Sequence, residues 1–86
     1  MIGKQTTVTT TATLIEAAVN NETREIIIHP SGNMFVGGDN TVTTSNGYLL
    51  DATKSAGLRL TLHPGEALWA IVTSGTHTCY TLLSEI

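Results

Sequence analysis

The clearest pattern in the chain lies in its last third, where Leu58, Leu60 and Leu62 alternate with Arg59, Thr61 and His63. Strict alternation predicts a strand with one side turned inward, because successive side chains on extended backbone point to opposite faces. Pro64-Gly65-Glu66 then predicts a turn, with proline presetting φ and glycine supplying the left-handed position. Residues 67–73 (A-L-W-A-I-V-T) predict a buried strand, Ser74-Gly75 the next turn, and residues 76–83 the final strand. Upstream, residues 24–29 (R-E-I-I-I-H) are apolar on both faces, which predicts a central strand ended by Pro30. Met34-Phe35-Val36, residues 41–44 and Tyr48-Leu49-Leu50 predict short strands, with Ser45-Asn46-Gly47 as a tight turn. The pair Gly37-Gly38 marks a sharp turn or a bulge where another backbone passes close.

The N-terminal segment is less regular. Over residues 5–19, Val8, Thr10, Ala12 and Leu14 fall on one side of a period of two, with mostly threonines on the other. That predicts one strand with a half-buried face. Ala17-Ala18-Val19 would suit a short helix, but the threonines upstream weigh against it, and Asn20-Asn21-Glu22 predicts a turn. Residues 51–57 form the longest polar loop. Seven or eight short strands with closely spaced turns describe an all-β protein: a single compact β-sandwich or small barrel spanning residues 1–86. Residues 1–20 are either its first strand or an extended N-terminal arm.

Composition agrees with strands and narrows the function. Charged residues are 13% of the chain, about half the usual ~25%. Sixteen threonines carry the polar surface instead, and threonine suits a pleated, half-wet face. The net charge of −3, with Lys4, Arg24, Lys54 and Arg59 scattered, argues against nucleic acid as a partner. Ile26-Ile27-Ile28 is far shorter than the ~20 apolar residues a membrane-spanning helix needs. Threonines stand where a signal peptide would place its apolar stretch, so the product is expected to be soluble and not exported by that route.

Catalytic and metal chemistry find little support. Cys79 is the only cysteine, which leaves no disulfide or cysteine zinc site and suggests a small buried hydrophobe. His29, His63 and His77 lie near strand ends, and Asp39, Asp51 and Glu66 near turns, yet none has metal-ligand spacing. Ser74-Gly75-Thr76 lacks the strand-to-helix setting of a serine nucleophile, and no Lys-Ser or Lys-Thr follows Gly37-Gly38 as in a phosphate loop. The expectation is therefore a protein that is not an enzyme and holds no cofactor or metal. Trp69 and Phe35 read first as core, with an interface anchor as the alternative, since aromatics give much contact area at little entropic cost. Trp69 shares its strand face with Ile71, while Leu68, Ala70 and Val72 share the other. That strand and the one around Ile27 are apolar on both sides, more than one thin core needs. Candidate interface residues are Trp69, Ile71, Ile27, Tyr48 and Phe35, in a homo-oligomer with a trimer favoured over a dimer.

From Arg24 onward, over roughly residues 24–83, the chain also resembles a recurring type of small tailed-bacteriophage virion protein. The shared order is an aliphatic strand at Ile26-Ile27-Ile28-His29, then Phe35-Val36-Gly37-Gly38 and Thr41-Val42-Thr43. Ser45-Asn46-Gly47, a leucine-rich strand, Pro64-Gly65-Glu66 and Leu68-Trp69-Ala70-Ile71 leading to Ser74-Gly75-Thr76 follow. Residues 51–57 align least well. The resemblance implies a compact sandwich without catalytic residues, a place in the virion after synthesis in the host cytoplasm, and the phage major capsid protein as a partner. The function it implies is head decoration, or minor capsid protein, stabilising the shell from outside. The alternatives are a neck, tail or fibre-base component, or a small ligand- or carbohydrate-binding module.

Overall fold

The computed structural model describes residues 1–53 and 57–85. The described residues form eight strands and no helix: β1 (Ile2–Val8), β2 (Thr13–Glu16), β3 (Arg24–Pro30), β4 (Met34–Gly37), β5 (Tyr48–Leu50), β6 (Leu58–Leu62), β7 (Leu68–Ile71) and β8 (His77–Glu85). They make two four-stranded sheets, the first in the order β1-β8-β3-β6 and the second in the order β2-β7-β4-β5. Every pairing is antiparallel. The chain changes sheet at every connection except the β4–β5 hairpin. Eight strands interleaved in this way form a jelly-roll sandwich.

β3 shows why the layers close. Ile26, Ile28 and Pro30 turn inward and are buried, while Glu25, Ile27 and His29 turn outward. Lying between β8 and β6, it is central, as its two apolar faces predicted. The second sheet contributes Ile15, Met34, Val36, Leu50, Leu68, Ala70 and Val72 to the same core. Leu58, Leu60 and Leu62 face inward from β6, matching the alternation, and Cys79 is fully buried on β8. The Pro64-Gly65-Glu66 turn is also as expected: Gly65 has φ of +86°, and Glu66 N–H donates to the His63 carbonyl at 3.0 Å.

Two sequence expectations fail, for one physical reason. Residues 5–19 are not one strand but two, β1 and β2, on different sheets. At the crossing, Thr11 N–H donates to Thr9 Oγ1 at 3.2 Å and Thr13 Oγ1 donates to the Thr11 carbonyl at 2.9 Å. Likewise residues 41–44 form no strand. Asp39 Oδ1 accepts from Thr41 N–H at 2.9 Å, Asn46 Oδ1 accepts from Thr43 N–H at 2.7 Å, and Asn46 Nδ2 donates to the Thr41 carbonyl. Short polar side chains have taken the backbone groups that a ladder would have used. Of the expected 51–57 loop, residues 54–56 lie outside the described residues.

Candidate functional site

The second sheet carries the surface of interest. In β7, Leu68 and Ala70 are buried against the core, so Trp69 and Ile71 point away from it. Register extends that outward side across all four strands. Leu14, Trp69 and Gly37 stand opposite one another in one row, and Ile71, Phe35 and Leu49 in a second. Leu14 is 41% exposed and Leu49 44%, while Trp69, Phe35 and Ile71 are half-buried. None of these outward strand positions bears a charge.

One corner of this face is already covered. The connection from Gly38 to Gly47 arches over it and lays Val42, itself buried, onto Gly37. A Cβ at Gly47 would lie 2.7 Å from Phe35 Cβ and 2.9 Å from the Thr43 carbonyl oxygen, so only glycine fits beneath the arch. The adjacent glycines predicted another backbone passing close; instead the Val42 side chain meets Gly37, and nothing lies within 4 Å of a Cβ at Gly38. Hydrogen bonds from the Thr41 hydroxyl and then its backbone N–H hold the Asp39 carboxyl below the usual carboxylate range.

A second feature lies where β5 and β6 end their sheets. An apolar cleft of about 300 Å³ opens between the layers, lined by Val36, Gly37, Tyr48, Leu58, Leu60 and Leu68. Tyr48 stands at its mouth, 66% exposed. The opposite edge is tied shut. Lys4 Nζ donates to the Ile15 carbonyl and pairs with Glu16 Oε1 at 3.3 Å. Arg24, only 1% exposed, donates to the Ala17 carbonyl at 2.7 Å and the Glu66 carbonyl at 2.9 Å, and meets Glu16 Oε2 at 3.4 Å.

Among the described residues, His29, His63, His77 and Cys79 do not converge on either feature. His29 lies on the outer side of the first sheet, its ring centroid 6.2 Å from that of Tyr80. His63 sits at the β6–β7 turn, where its backbone N–H and then its ring hold the Glu66 carboxyl below its ordinary range. The His77 ring packs on Gly32, whose absent Cβ makes room for it. Burial pushes the Cys79 thiol up to about 11, with Lys4 acting weakly in the opposite sense.

Of the five residues expected at an interface, the fold gathers three. Trp69, Ile71 and Phe35 share the outer face of the second sheet, so the reading of Trp69 and Phe35 as core is corrected. Both sit on the side of their strands opposite the buried set, because Leu68, Ala70, Met34 and Val36 already fill the space between the sheets. Ile27 is on the other sheet, outward beside Leu82 and Arg59, and Tyr48 is at the cleft. Leu14 and Leu49 were missed. The chain breaks between β1 and β2 at residues 9–12, so the period of two running from Val8 does not carry through, and Ile15 turns inward and Leu14 outward. Comparison of the chain with protein-family models, with curated proteins and with solved structures finds no match.

Proposed function

We propose that this chain is a structural protein of a tailed-phage virion, a capsid decoration or minor capsid protein that binds the outside of the head shell and stabilises it. The observation that supports this most is the uncharged apolar face of Leu14, Trp69, Ile71, Phe35 and Leu49 on a sandwich of only 86 residues. A domain so small gains little by leaving such a face to water, and contiguous exposed apolar patches mark surfaces that dock. The order of elements from Arg24 to Leu83 supports the particle in question. Jelly-roll sandwiches serve viral capsids, lectins and cupins alike, so the strand order is compatible with this role without assigning it.

The mechanism is mass action. A subunit with affinity for the assembled shell and none for dissociated subunits stabilises the shell by RT ln(1 + [L]/Kd) at each site. Linking subunits to one another raises the effect, because later contacts form at high local concentration. The test is the copy number in purified particles, together with the temperature at which heads lacking the protein burst. Expected are a copy number that tracks the shell lattice and earlier bursting on its loss. A single ring's worth of copies would move the protein to the neck, tail or fibre base, and absence from particles would end the proposal.

A further inference from the structure

We infer that the apolar cleft between the edges of the two sheets binds a small, uncharged aliphatic molecule whose one polar end meets Tyr48. The site is distinct from the outer face of the second sheet, so the proposed place in the virion neither requires nor forbids it.

Protein interiors pack to crystal density, with few voids larger than a water molecule. This sandwich of 86 residues nevertheless keeps about 300 Å³ open at the β5–β6 edge. The gap is local. Leu58 and Leu60 turn to the core side of β6 yet stay half-buried, whereas Leu62, on the same side and opposite Arg24, is 5% exposed. The layers close at the Leu62 end of β6 and part at the Leu58 end.

The lining selects the occupant. Val36, Gly37, Leu58, Leu60 and Leu68 offer no side-chain polar atom, and Tyr48 offers one hydroxyl at the mouth. A water molecule held inside needs roughly two to four polar partners, which these side chains do not supply. Volume sets the size of the ligand. An apolar cavity of about 150 Å³ takes benzene, so about 300 Å³ suits roughly ten to twelve carbon atoms. Charge sets its head group. Among the described residues, Lys4 and Arg24 are at the opposite edge, and Arg59 turns outward to pair with Glu25 at 3.4 Å. No described cation is left at the cleft to hold a carboxylate, whereas a tyrosine hydroxyl both donates to and accepts from an alcohol or carbonyl. The ligand class is thus a medium-chain aliphatic alcohol, aldehyde or ketone.

The probe is 1-decanol, titrated into the full chain by calorimetry and followed by methyl NMR. Expected is saturable one-to-one binding that shifts the methyl signals of Leu58, Leu60 and Leu68. Ionised decanoate, of the same length, should bind at least about tenfold more weakly for want of a cation. Tyr48→Phe, at a 66% exposed position, should weaken decanol binding roughly three- to tenfold, the worth of one hydrogen bond. Leu60→Trp should fill the cleft and abolish binding, while Leu82→Glu, at a 37% exposed site on the first sheet, should leave it unchanged. No saturable binding up to the solubility of decanol, shifts confined to methyls outside the cleft, or decanoate bound as tightly would each overturn the inference. Should Leu60→Trp fail to fold, Tyr48→Phe and the methyl shifts decide alone, and binding indifferent to Tyr48→Phe would overturn it too.

Discussion

Arg24 is the residue whose role the linear chain conceals most completely. Among the described basic residues Lys4, Arg24 and Arg59 it is the one placed in the interior, tying the ends of β2 and the β6–β7 turn through three acceptors. A buried cation is kept only where hydrogen bonds replace its water. Replacing it by alanine should cost roughly 3 kcal/mol, since charged hydrogen bonds are lost and Glu16 keeps only Lys4. Arg24→Lys retains the charge but not the forked reach, and should recover less than half of that loss in urea denaturation. Cys79 gives a prediction of opposite character. Its folded thiol ionises near 11, above the unfolded range of about 8.5, because burial disfavours the thiolate. That contribution is complete below the unfolded value and is lost as pH rises through the folded one. The stability difference between the wild type and Cys79→Ala should therefore shrink between about pH 9 and 11, and at pH 8 the folded thiol should be inert to thiol reagents.

Among the elements, the β4–β5 connection and β1 respond oppositely to the same substitution. At Gly47 an added methyl meets Phe35 Cβ and a backbone oxygen, neither of which can swing aside. Gly47→Ala should cost roughly 1–3 kcal/mol through overpacking and should loosen the Val42 arch. At Gly3 nothing lies within 4 Å, and the residue is in an edge strand. Gly3→Ala should be neutral or stabilise by about 0.5 kcal/mol, because alanine loses less backbone freedom on folding. Thermal melts of the two variants side by side would check the contrast; equal effects would contradict the packing described for the arch.

For the whole molecule, the division of Trp69 between core and surface is decisive. Full burial would make Trp69→Ala cost the 3–5 kcal/mol typical of a lost core aromatic. An outward tryptophan that buries most of its surface against its own sheet should cost the monomer roughly 2–3 kcal/mol by the area it covers, with a further effect on association. Denaturation at a concentration where the chain is monomeric, set beside sedimentation at high concentration, separates the two. The topology adds a folding consequence. β1 pairs with β8 from Ile2–Leu83 to Val8–His77, so the two ends of the chain must meet before the first sheet is complete. Such non-local pairing is slow, and refolding should fall in the millisecond-to-second range of all-β sandwiches rather than the microseconds of helical bundles.

Alternation and turn chemistry are local properties, so the all-β class, the inward leucines of β6, the central place of β3, the type of turn at Gly65 and the burial of Cys79 were all legible along the chain. So was the division of β7 into a Leu68–Ala70 side and a Trp69–Ile71 side. A period of two says that two faces differ, but not which faces the other sheet. That was decided by the volume between the layers, which Met34, Val36, Leu68, Ala70 and Val72 already occupy, leaving Phe35, Trp69 and Ile71 outside. The threonine crossing at residues 9–12, after which Leu14 turns outward, and the Val42 arch share this dependence, because side-chain hydroxyls and amides compete with a ladder whose partner strand is distant in sequence. Arg24 follows the same logic. Its acceptors at Ala17 and Glu66 come together only when the two sheets stack, so tertiary structure alone made a buried tie of what the sequence shows as one more surface cation.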